Sequence, residues 1–184
     1  MQNGFAISAR AERPALRCCL ITTLVFLGAA MLTLPAVAGT VKVKTPVPYA
    51  KSVSVRPQVK EQCKLGEKLA SFLAESNSEV ELVEGTLGSS GSVLAMEITE
   101  VHASGGGAFS GPKWMTVKGT LKKNGRAVSR FRAKRFSTGG AFAAFKGTCS
   151  IIGRCTKALG RDIGAWLQDP KDGALLGDAQ GELD

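Results

Sequence analysis

The chain has one histidine, one tyrosine and two tryptophans in 184 residues. It has no C-x-x-C pair, no G-x-S-x-G nucleophile elbow and no G-K-[ST] phosphate loop. The first absence argues against a dithiol redox site. The second removes the usual signature of an α/β-hydrolase serine, and the third that of a P-loop. With only His102 available, and no spaced His/Cys or Asp/Glu sets, no metal-ligating cluster for zinc or calcium is expected. No catalytic residue, metal or cofactor is assigned. Acid is also missing locally: from Val101 to Arg161 there is no Asp or Glu at all, against 13 Lys plus Arg.

What is present begins with the compartment. Arg10, Arg13 and Arg17 precede an uncharged stretch, Cys18 to Leu34, followed by Pro35 and Ala36-Val37-Ala38. A basic leader, an apolar run and an A-x-A site predict a secretory signal peptide over 1–38, cleaved after Ala38. An uncleaved anchor is the alternative, since 17 residues sit at the short end of a membrane span. Cleavage would leave a periplasmic or secreted protein with no transmembrane segment. Without the leader's four charges, 21 basic side chains remain against 14 acidic ones. That is enough chain for one domain with a core of its own.

Residues 39–51 contain T-P-V-P and read as an extended, weakly ordered arm. S-V-S-V-R, 52–56, alternates as a short strand would, and Pro57 suits the first turn of a helix reaching about Ser76. Val59, Cys63, Gly66, Leu69, Ala70 and Leu73 form that helix's apolar stripe. Strands are predicted at 79–84 and 93–102, and a helix from about Thr148 to Gln168, buried through Ile152, Cys155, Leu159, Ile163 and Trp166. Residues 171–184 have too few apolar side chains to pack and read as a disordered acidic tail. The expected fold over 52–170 is a single α+β domain. It is a two-layer sandwich, with a mainly antiparallel sheet of four to five strands and two amphipathic helices on one face.

The densest charge lies on one predicted hairpin, Lys113 to Phe136, which carries nine basic side chains and no acid. A two-residue Asn124-Gly125 turn would mix charge into the apolar face. A three-residue turn over 123–125 instead pairs Val117 with Phe131 and keeps the odd-numbered apolar residues together, so burial favours it. Lys118, Lys122, Arg130, Arg132 and Lys134 then share the outward face. Three roles compete for them. They are a solvated surface, a binding face for an envelope protein or an anionic envelope surface (lipid head groups, lipopolysaccharide), or a nucleic-acid contact. Nucleic acid is the weakest reading, because Phe131 belongs to the core and leaves little to stack bases on.

After cleavage three cysteines remain, Cys63, Cys149 and Cys155, enough for one disulfide and a spare thiol in an oxidising compartment. Cys149–Cys155 is the first choice, provided Cys149 precedes the helix. Inside one helix the two would be about 9 Å apart along the axis, beyond the roughly 7 Å that a disulfide tolerates. The alternative joins Cys63 to either of them. G-G-A-F occurs at Gly106–Phe109 and Gly139–Phe142. A small periplasmic enzyme with its site near His102 and these glycine loops is the second functional reading.

The segments L-A-M-E-I-T-E-V (Leu94–Val101), S-G-P-K (Ser110–Lys113) and C-S-I-I-G-R-C-T-K-A-L-G-R-D-I-G-A-W-L-Q-D-P (Cys149–Pro170) resemble uncharacterised exported proteins of proteobacteria. Their layout is similar to that of small α+β domains in envelope lipoproteins and in the N-terminal domain of the translocation protein TolB. The resemblance covers about 52–170 and implies envelope assembly or protein contact. It carries over no site residues, and no lipid-attachable cysteine follows the leader.

Overall fold

Alternation along V-K-V-K-T makes the first strand, β1 (Val41–Thr45), with Val41 and Val43 buried and the alternate Lys42 and Lys44 half-exposed. A computed structural model describes residues 39–105, 111–138 and 146–182. The expected signal peptide over 1–38 and both G-G-A-F repeats lie outside the described residues. After β1 come α1 (Pro57–Cys63), α2 (Leu65–Ser76), β2 (Val80–Glu84) and β3 (Ser92–His102). The chain continues through β4 (Lys113–Lys123), β5 (Arg126–Ser137), α3 (Thr148–Trp166), β6 (Ala174–Gly177) and a 3-10 turn over Asp178–Glu182.

The fold is α+β, but the sheet is larger and more mixed than the sequence predicts. Six strands lie in the order β2-β1-β3-β4-β5-β6. β3, β4 and β5 are antiparallel neighbours, whereas β1 runs parallel to both β2 and β3, and β6 runs parallel to β5. The two additional strands come from segments expected to be loose. The arm at 39–51 supplies β1, an interior strand, and Tyr49 adds an isolated bridge to Ile98. The tail at 171–184 supplies β6, held by the Trp166 indole N–H donating to the Lys171 carbonyl and Ser129 Oγ donating to that of Pro170. Conversely, 52–56 is not a strand: the edge of β3 it would need is already taken by β1 and Tyr49.

The predicted first helix is two. Lys64 adopts a left-handed conformation (φ 48°) between α1 and α2. Cys63 and Leu65 are both fully buried, yet two positions on one continuous helix point about 200° apart. The left-handed residue resets the phase so that both face inward. The predicted stripes nevertheless hold: each of their eleven residues is buried. α2 and α3 approach closely at two glycines. A Cβ on Gly160 would sit 2.7 Å from Phe72 Cβ, and one on Gly164 would strike Ser76 Oγ. Ser76 Oγ and Asn77 Nδ2 donate to the carbonyls of Gly160 and Gly164 at 2.9 and 3.1 Å.

The disulfide joins Cys63 to Cys149, with the Cα atoms 4.9 Å apart. The first-choice pair, Cys149–Cys155, is incorrect. α3 already begins at Thr148, so both cysteines are helical and too far apart along it. Cys155 is free and buried, its thiol directed at the Lys113 carbonyl, and burial pushes its pKa up to about 11.

The hairpin turn also differs. Asn124 and Gly125 make a two-residue turn, pairing Lys123 with Arg126 and Lys122 with Ala127. A bulge then slips the register by one residue, so Leu121 faces Ser129, Gly119 faces Phe131 and Val117 faces Ala133. The inserted residue, Val128, is 44% exposed. Because the slip restores parity, the odd-numbered residues still share the core face, as burial demands. The Phe131 ring lies across Gly119, where any Cβ would overlap it, and meets Trp166 edge-on with ring centroids 4.8 Å apart.

Candidate functional site

Among the described residues, all three helices pack on the sheet face that carries Val43, Leu94, Ile98, Met115, Val117 and Phe131. The alternate residues of β3, β4 and β5 therefore form the opposite, helix-free face. Register decides which of them stand side by side, because residues paired across strands share a face. One row runs Glu97–Lys118–Arg132. A second runs Glu100–Thr116–Lys134, a third Ala95–Thr120–Arg130, and Val93 pairs Lys122. The five predicted site residues, Lys118, Lys122, Arg130, Arg132 and Lys134, thus share one face. The first three are exposed, and Arg132 and Lys134 are half-buried.

The remaining basic residues of the run do not all join them. Lys113 is fully buried on the core side; burial, and secondarily the charge of Arg56, lowers its pKa. Arg135 also lies on the helix side. Its Nε and Nη2 donate to the two carboxylate oxygens of Asp162 at 2.6 and 2.9 Å, and Nη1 reaches Asp178 at 3.3 Å. The hydrogen bond with Asp162 raises its pKa, and the Asp178 charge adds to the effect. Arg135 thereby clasps the C-terminal segment against β5. It lines a cleft of about 560 Å³ shared with Trp166, Lys171 and Gln180.

β3 adds two carboxylates to the helix-free face, Glu97 and Glu100. A bulge between Ile98 and Glu100 sets Thr99 out of register and turns Glu100 to the helix-free face. There the Trp114 indole N–H donates to Glu100 Oε1 at 2.6 Å, and Thr116 Oγ1 donates to Oε2 at 3.1 Å. Glu97 stands opposite Lys118, and among the described residues neither makes an ion pair. Beside this row Ala50 and Ser52 border an open cleft of about 410 Å³ that is also lined by Glu97, Glu100, Lys118 and Arg132. The face is cationic with an acidic seam.

His102 stacks on Trp114, ring centroids 3.7 Å apart and planes within 6°, and its Nε2 lies 3.3 Å from Ser104 Oγ. Lys134 Nζ lies 5.9 Å from the Trp114 ring centroid. The small cleft at His102, about 210 Å³, is lined by Ser54, Arg56, Val59 and Ser104, with no carboxylate or thiol among the described residues. Among those residues no cluster of three His, Cys, Asp or Glu side chains could hold a metal, and no helix is long and apolar enough to cross a membrane. What the arrangement offers chemically is charge: donors for oxyanions over most of the face, and carboxylate acceptors along one seam.

The chain matches no protein-family model and no curated protein. Among solved structures it is similar to an uncharacterized protein at 12% identity and TM-score 0.45, over 70% of this chain and 92% of that one. A Xanthomonas campestris protein of family DUF330 aligns at 12% identity and TM-score 0.43, covering 70% and 83% of the two chains. PelC from Paraburkholderia phytofirmans, a dodecamer, aligns at 16% identity and TM-score 0.35, covering 64% and 86%. No residue role is carried over from these backbone likenesses.

Proposed function

We propose that this is an exported, non-enzymatic protein whose helix-free sheet face binds an anionic component of the cell envelope. The observation that carries the reading is the cross-strand register, which gathers Lys118, Lys122, Arg130, Arg132 and Lys134 on the one sheet face the helices leave open. The signal-peptide pattern, the disulfide and the resemblance to exported proteobacterial proteins support an envelope setting. Several cations held together on one face attract an anionic surface more strongly than an isolated lysine does. Each basic side chain close to such a surface contributes on the order of 1 kcal/mol, and the attraction fades with salt.

Vesicle co-sedimentation tests the reading. The processed protein is expected to bind phosphatidylglycerol-containing vesicles at low salt and to leave them as ionic strength rises. Arg130→Glu with Arg132→Glu should weaken binding at least tenfold, whereas the buried Lys113 contributes nothing, so Lys113→Met should bind as the parent does. Binding that ignores both the reversal and the salt would overturn the proposal.

A further inference from the structure

We infer that the cleft along the Glu97–Lys118–Arg132 row takes a small zwitterion, an ammonium and a phosphate separated by two carbons, as in phosphoethanolamine. The inference deepens the anion-binding reading and rests on it for the phosphate half. A purely polyanionic ligand would gain nothing from acids in its path, yet β3 places two carboxylates in the same cleft as Lys118 and Arg132. Glu100 is held by donors on both oxygens, from Trp114 and Thr116. Among the described residues Glu97 has no such partner; it faces Lys118 across one strand spacing, and the two do not form an ion pair.

That spacing suits the ligand. Adjacent strands lie about 4.8 Å apart, close to the separation of charges across a two-carbon spacer. An ammonium seated on Glu97 therefore brings its phosphate to Lys118 and Arg132, and arginine's planar fork suits two phosphate oxygens. The hydroxyl of Ser52 edges the same cleft and supplies a neutral partner. A volume of about 410 Å³ accommodates a head group and lies within the usual range for small-ligand sites. Phosphoethanolamine occurs both free and as a lipid head group, and the chemistry recognised is the same.

Titration of the purified protein with phosphoethanolamine, inorganic phosphate and ethanolamine separates this idea from a plain basic patch. Phosphoethanolamine should bind more tightly than either half alone. Glu97→Gln should weaken phosphoethanolamine about threefold to fivefold, the range of one exposed ion pair, while phosphate binding stays level or tightens. Lys118→Gln should weaken both. Vesicles of phosphatidylethanolamine in phosphatidylcholine distinguish the sources: capture on them assigns the lipid head group, and binding of the soluble compound alone assigns the free form. Phosphoethanolamine no better than phosphate, or a Glu97→Gln change that moves both ligands in the same direction, overturns the inference. In that case salt-sensitive binding to phosphatidylglycerol vesicles would still uphold the anionic-surface reading, and its absence would remove that reading as well.

Discussion

Removing the Cys63–Cys149 disulfide offers a quantitative check on the architecture. The bond closes a loop with a sequence separation of 86. In the chain-entropy treatment such a closure stabilises the folded state by about 4.6 kcal/mol at 25 °C, through the freedom it denies the unfolded chain. Native-state strain and residual unfolded-state structure lower that figure, so the expected loss in Cys63→Ala/Cys149→Ala is about 3–4.5 kcal/mol. The bond also ties α1 to α3, and α1 is only seven residues long, with Val59 and Cys63 as its buried side chains. A helix that short does not persist without tertiary contacts. Urea unfolding followed by tryptophan fluorescence measures the loss, and with a slope of about 2 kcal/mol/M the midpoint should fall by roughly 2 M. Cys155→Ala should keep the bond, and reductant should reproduce the double variant in the parent protein. A peptide map linking Cys149 to Cys155, or a double variant within about 1 kcal/mol of the parent, would refute the reasoning.

Two further outcomes follow from the core. Gly119→Ala places a methyl group where the Phe131 ring lies, and should cost about 1–3 kcal/mol in chemical denaturation. Phe131→Leu in the same chain should make the Gly119 change milder, and strict additivity of the two would show that the ring does not lie there. The Cys155 thiol loses its proton near 9.0 in the unfolded chain and near 11 in the fold, so the folded state holds the proton more tightly. Its contribution is full below pH 9 and disappears as pH rises toward 11, by at most about 2–3 kcal/mol. Unfolding at pH 8 and pH 10.5 should therefore show a smaller pH-dependent loss in Cys155→Ala than in the parent, and equal losses would refute the assignment.

Which face most strand residues occupy was legible from alternation, apart from Glu100, which the bulge at Thr99 turns over, and the apolar stripes of the helices from their period. Both are local properties that burial enforces on either side of a register slip. The hairpin shows the limit of that reading. Its parity came through correctly although the turn did not, because a bulge at Val128 and a three-residue turn deliver the same odd residues to the core. The acidic seam was not legible, since Glu97 and Glu100 look like solvated strand charges until pairing sets them beside Lys118 and Thr116.

From its residues alone, this chain specifies an α+β class, a charge divided along its length, and a sheet surface rich in Lys and Arg. Folding in three dimensions decided the rest: β1 inserted between β2 and β3, β6 laid along β5, and Cys63 brought to Cys149 rather than Cys155. The physical reason is that periodicity reports how a segment turns its side chains, a matter of a few bonds. Strand neighbours and disulfide partners depend instead on which distant segments fill the remaining space in the core.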